Sequence, residues 1–118
     1  MNYKKNQLYI EKISTNKIVK RFGSPTYCYS LKKIELNIKN FKNYFKKFDP
    51  IICFSVKSNN NLQILKEVKK NGLGADVVSQ GELMKALKAG INPKKIVFSG
   101  VGKSVNEIKY AIDKNILL

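Results

Sequence analysis

Lys57 directly follows the run Ile51-Ile52-Cys53-Phe54-Ser55-Val56, and a lysine in that place could serve as a nucleophile. The run is short and largely apolar, which predicts a strand buried on both faces of a parallel sheet. The carboxyl end of such a strand is where α/β folds carry their active sites. Apolar walls would disfavour the ammonium form and leave an amine able to condense with a carbonyl. The bland alternative is one lysine of many, reaching into water from a strand end. Asp76, between Ala75 and Val77, stands in a second strand-like run. A carboxylate there needs a partner. It reads either as an interior acid one strand away from Lys57 or as a structural group, held by a hydrogen bond or by a salt bridge to a surface lysine.

Other candidates carry less. Gly100-Val101-Gly102-Lys103-Ser104 lies between a strand and a helix, but a P-loop needs a further glycine at position 97, where Val97 stands. A turn leading to a Ser104 cap accounts for the glycines, and they could let backbone approach an anion. Cys28 and Cys53 sit in strand-like runs and read as small buried hydrophobes. The chain has no His. That excludes a Ser-His-Asp or Cys-His hydrolase and a Cys/His zinc site within these residues.

The elements that must position these groups follow from periodicity. Residues 14–22 predict a short helix capped by Ser14 or Thr15, and residues 26–30 an extended, strand-forming stretch. Residues 31–48 predict a helix with Leu31, Ile34, Ile38, Phe41, Phe45 and Phe48 on one stripe, ended by Asp49-Pro50. Strand and helix then alternate at about 22 residues per unit. The strands are 51–56, 74–78 and 95–99, with a fourth beginning at Ile116. The helices start at Asn59 to Asn61, at the capping box Ser79 to Glu82, and at the capping box Ser104 to Glu107. Such alternation predicts parallel pairing through crossovers, as in a (β/α) barrel or a small doubly wound sheet. Three units cannot close a barrel, which takes eight units and about 250 residues. The expectation is therefore the front part of a larger α/β domain, with an open sheet and exposed apolar faces.

Composition narrows the classes further. The 118 residues hold 43% hydrophobic residues, enough for a packed core. No apolar run is long enough for a transmembrane helix, and no signal-peptide pattern opens the chain. Two cysteines make no disulfide scaffold, and reduced thiols in the cytoplasm are the simpler reading. Lys+Arg 23 against Asp+Glu 8 gives a net charge of +15. Every basic residue but Arg21 is lysine, and the lysines are scattered in pairs. Recognition of phosphates and bases favours arginine, so a solvated lysine surface is preferred to a nucleic-acid face. A small basic nucleic-acid-binding module stays as the rival outside the enzymes.

Four ordered segments carry a resemblance. Phe54-Ser55-Val56-Lys57-Ser58-Asn59 resembles the cofactor-lysine motif of the fold-type III pyridoxal-phosphate decarboxylases. Gly72 to Leu83 resembles the next βα segment of that family, and Ile96 to Ser104 the one after. Phe22 to Ser30 is similar to the family's leading strand. The nearest branch is that of the diaminopimelate decarboxylases. Other fold-type III members, acting on ornithine or arginine or racemising alanine, are the rivals within the class.

The resemblance implies a (β/α)8 TIM-like barrel over residues 31–118 in part, preceded by a helix and a strand in residues 1–30 that would join a C-terminal β-domain. It implies pyridoxal 5'-phosphate bound covalently through Lys57, with Asp76 in the interior close to the cofactor. It implies loss of carbon dioxide from meso-diaminopimelate to give L-lysine, in a homodimer. The departures are of two kinds. Phe54 and Ser58 stand where the family commonly has Tyr and Ala. The family's ring-packing His, Gly-rich phosphate loop and Glu for the pyridine nitrogen lie in later barrel units that these 118 residues do not contain. The expectation is an N-terminal fragment that is inactive alone.

Overall fold

In a computed structural model, residues 2–118 are described. The chain divides into two compact units, Met1–Asn37 and Ile38–Leu118.

The first unit holds a three-stranded antiparallel sheet of β1 (Asn2–Lys4), β2 (Gln7–Ile10) and β3 (Ile13–Ser14), in that order. Its first turn is possible because Lys5 and Asn6 both take positive φ, 47° and 57°, the twist that a two-residue hairpin needs. This hairpin was not legible, since residues 2–13 mix Lys, Asn and Gln with no clean alternation. Helix α1 (Thr15–Phe22) matches the expected one, with Ser14 as its cap. Ser14 Oγ accepts the Lys17 N–H at 3.4 Å. Residues 26–30 differ from expectation: they are irregular, with no strand partner among the described residues. Strand-forming side chains alone cannot satisfy the N–H and C=O groups that a ladder would pair. Tyr27 is accordingly 90% exposed.

Helix α2 (Leu31–Phe45) opens at Ser30, whose Oγ accepts the Lys33 N–H at 3.1 Å. It stops three residues short of the expected end, and residues 46–48 form a turn. Ile38 is its one buried residue, whereas Phe41, Phe45 and Phe48 are exposed. The stripe exists, but little covers it.

The second unit alternates as expected. β4 (Cys53–Ser55) leads to α3 (Leu62–Lys70), β5 (Gly74–Val77) to α4 (Gln80–Lys88), and β6 (Ile96–Phe98) to α5 (Val105–Asp113). The strands form a parallel sheet in the order β4-β5-β6, with Ser55 opposite Asp76 and Asp76 opposite Val97. Leu117 adds a parallel bridge to Val97, where a fourth strand was expected. The core lies between the sheet and its helices. Ala75, Val77, Ile96 and Phe98 face it, and Leu65, Leu83 and Ala111 fill it. Each large side chain so buried contributes about 1.5–3 kcal/mol relative to exposure. Gly74 is required by close approach: a Cβ there would meet the Lys95 carbonyl oxygen and the Cys53 sulfur.

Candidate functional site

Side chains alternate across a strand, so the residues between the core positions face the other way. Cys53, Ser55, Asp76, Val97 and Ser99 therefore line the sheet face away from the helices. Ser55 and Ser99 are exposed, while Cys53, Asp76 and Val97 are half-buried. This face of small and polar groups runs up to the turn that carries Lys57.

That turn is a single 3-10 turn, Val56–Ser58, held at several points. Val56 is fully buried and anchors it in the core. Ser58 Oγ donates to the Ser55 carbonyl at 2.7 Å, and the Asn59 N–H to the Val56 carbonyl at 3.1 Å. Lys85 Nζ on α4 donates to Asn60 Oδ1 at 2.9 Å, tying the next residues down. The backbone under Lys57 is thus fixed. The side chain is exposed, and its Nζ makes no hydrogen bond or ion pair among the described residues. Among the described residues no apolar walls enclose it, contrary to expectation.

Asp76 has its partner on the neighbouring strand's end. Ser99 Oγ donates to Asp76 Oδ1 at 2.5 Å. Cys53, lower on the same face, donates weakly to the Lys95 carbonyl at 3.6 Å. Burial pushes the Cys53 thiol above its ordinary range, and the Asp76 carboxylate pushes it the same way.

The two helix starts at this edge carry their own carboxylates. Glu82 Oε2 accepts the Val78 N–H at 2.9 Å, so its side chain reaches one residue beyond the Ser79 N–H of the expected box. Glu107 closes its box on Ser104, and its second oxygen accepts the Gln80 N–H at 3.0 Å. These bonds, to Ser104 and then Gln80, hold the Glu107 carboxyl below its ordinary range. The glycine turn after β6 therefore offers no open anion cradle at the Ser104 N–H. Lys103 is folded back, its Nζ 2.7 Å from the Gly100 carbonyl and over the Phe98 ring.

The structure thus places Lys57 in the turn that follows β4 and Asp76 on the adjacent strand β5. It adds Ser55 and Ser99, which sequence reasoning passed over. Two-residue alternation along the strands was the signal that could have found them. A hollow of about 260 Å³ in this unit lies at the opposite end of the sheet, bordered by Lys42, Ile52, Gly72 and Lys95. No helix among the described residues is long and apolar enough to cross a membrane.

Known proteins resemble this chain in sequence and in structure. Residues 31–118 match the profile of the pyridoxal-dependent decarboxylase, pyridoxal binding domain. A diaminopimelate decarboxylase of Aquifex aeolicus is 42% identical over 119 residues, covering 100% of this chain and 28% of that protein. One from Helicobacter pylori is 50% identical over 96 residues, covering 81% of this chain and 24% of its own. The crystal structure of diaminopimelate decarboxylase from Helicobacter pylori complexed with L-lysine superposes with a TM-score of 0.82 at 45% identity. That match covers 87% of this chain and 26% of that one. The chain spans about a quarter of the length of the curated relatives it matches.

Proposed function

The chain belongs to the pyridoxal-dependent decarboxylases, matching their pyridoxal-binding domain over residues 31–118, and from this we propose that it contributes the Lys57-bearing part of a diaminopimelate decarboxylase. The observation that carries the proposal is the fixed turn holding an unpaired lysine amine at the carboxyl edge of a parallel sheet. The sequential strand order supports a (β/α)8 barrel, since a doubly wound sheet reverses direction. Residues 31–118 form its first units, and residues 1–30 lead to a separate β-domain. The substrate is meso-diaminopimelate, and the products are L-lysine and carbon dioxide. The naming of relatives and the L-lysine held by the Helicobacter pylori enzyme support this choice. The same resemblance carries a homodimer with it, and two free thiols support a cytoplasmic setting.

The residues present fit pyridoxal phosphate in part. Lys57 supplies a primary amine for its aldehyde, and Asp76 supplies a carboxylate on the same face. At the starts of α4 and α5 the Val78 and Ser104 N–H groups are already taken by Glu82 and Glu107. When bound, the cofactor supplies a ring that takes up the electron pair left as carbon dioxide departs. Lys57 would hold the cofactor at its aldehyde carbon and give way to the substrate amine. The buried Val56 and the Ser58 bond keep that lysine's backbone in place. Asp76, fixed by Ser99, puts a negative charge on the face that a protonated amine must approach.

Trapping tests this reading. The chain is mixed with pyridoxal phosphate, reduced with borohydride and digested, and the labelled lysines are mapped. Label concentrated at Lys57 over the other lysines, and lost from that peptide in Lys57→Ala, is the expected result. Label spread evenly over the lysines would overturn it.

A further inference from the structure

We propose that Ser99 is the positioning residue of this face: it holds Asp76 through Oδ1 and so sets where the carboxylate charge sits relative to the Lys57 turn. The hold on Asp76 is argued from the geometry alone. Only its consequence at Lys57 rests on the function proposed above.

Register gives the direction of the pull. Asp76 lies opposite Ser55 on one side and Val97 on the other. Ser99 stands two residues beyond Val97, toward the carboxyl edge and Lys57. Cys53 stands two residues before Ser55, toward the opposite end. Ser99 therefore draws the carboxylate up toward the edge and away from Cys53. A hydroxyl-to-carboxylate bond of 2.5 Å is in the short, charge-assisted class. Oδ2 has no hydrogen-bond partner among the described residues, which leaves it open to a donor arriving on the face. Two other cations near this edge are engaged elsewhere: Lys103 with the Gly100 carbonyl and Lys85 with Asn60. Ser99 itself is exposed, and its bond to the Val77 carbonyl uses the backbone N–H, so replacing its side chain should leave the fold intact.

Cys53 reports the position of the charge. Its alkylation by iodoacetamide is followed against pH in the full chain, and the Cys53 peptide is quantified by mass so that Cys28 does not interfere. Far-ultraviolet circular dichroism verifies each variant's fold. Ser99→Ala frees the carboxylate to relax toward Cys53. The midpoint should move up, and the rate on the rising limb should fall about twofold to fivefold. Ser99→Thr keeps the hydroxyl and should behave as the wild type. Asp76→Asn should move the midpoint down, and adding Ser99→Ala to it should change nothing further. No effect of Ser99→Ala, or an equal effect with Asp76 and with the Asp76→Asn change, would overturn the proposal. The borohydride trapping supplies the second arm. Ser99→Ala should lower the share of label at Lys57, and Ser99→Thr should restore it. If the thiol responds while the Lys57 share does not, the link from Ser99 to Lys57 is wrong. If the wild type shows no preference for Lys57, the cofactor reading fails while the thiol titration still decides the role of Ser99.

Discussion

The backbone N–H of Gln80 donates to Glu107 Oε1 at 3.0 Å, across 27 positions of sequence. One carboxylate thereby serves two turns, because its other oxygen accepts the Ser104 N–H at 3.0 Å. Glu107→Ala should leave both N–H groups to water and lower the thermal midpoint. Ser104→Ala, which removes the helix cap but leaves the Gln80 bond, should cost less. Differential scanning calorimetry of the two variants checks the order.

Acid should weaken the same joint. Bonds to Ser104 and Gln80 hold the Glu107 carboxyl below its ordinary range, and bonds to Ser30 and Lys32 do so for Glu11. Both groups bind protons more readily unfolded than folded. Their contribution is therefore complete above the ordinary carboxylate range and is lost as pH falls through the depressed folded values. Urea midpoints measured from neutral to acid pH should decline for the wild type. The decline should be shallower in Glu107→Gln.

Gly74 marks the tightest backbone approach in the sheet. A Cβ there would lie 2.0 Å from the Lys95 carbonyl oxygen. The obstacle is backbone, so it cannot swing aside as a flexible side chain could. Gly74→Ala should cost at least about 1–3 kcal/mol in urea unfolding. Gly102→Ala should cost far less by the same measurement, since nothing lies within 4 Å of a Cβ built there.

Leu65 tests the core from the helix side. It is fully buried. Leu65→Ala should cost about 2–5 kcal/mol, the transfer loss plus a cavity that neighbours fill only partly. Leu36→Ala, at a position 48% exposed, should stay within about 0.5 kcal/mol.

Local chemistry explains which parts of this fold were legible. The three βα units could be read because each has its own apolar strand, its own cap and its own glycine or asparagine stop. Ser79 and Ser104 cap where their spacing to Glu82 and Glu107 indicated. Lys57 and Asp76 could be placed because a strand's carboxyl end is a local property. What escaped was long-range. The turn at Lys5 and Asn6 works only when both residues adopt positive φ, which the side chains permit but do not announce. Residues 26–30 have strand propensity without a strand to pair with. The Ser99 bond to Asp76 spans 23 positions and depends on the register of β5 and β6, which no single segment encodes. Glu82 shows the limit in miniature, since its carboxylate has two nearby donors and takes the one at Val78.

The aromatic row of Phe41, Tyr44, Phe45 and Phe48 has a consequence for the protein as a colloid. Copies carrying a net charge of +15 repel one another, and in dilute buffer of about 0.01 M that repulsion reaches roughly 30 Å. Near 1 M salt it shrinks to about 3 Å, less than the width of a phenyl ring pair. The row, with the Phe41 and Phe45 rings tilted against each other 4.8 Å apart at its centre, then meets its copies unopposed. Brine should therefore gather this protein where it would strip a nucleic-acid binder from its ligand, and light scattering along a salt gradient would read the chain's surface by the sign of its response.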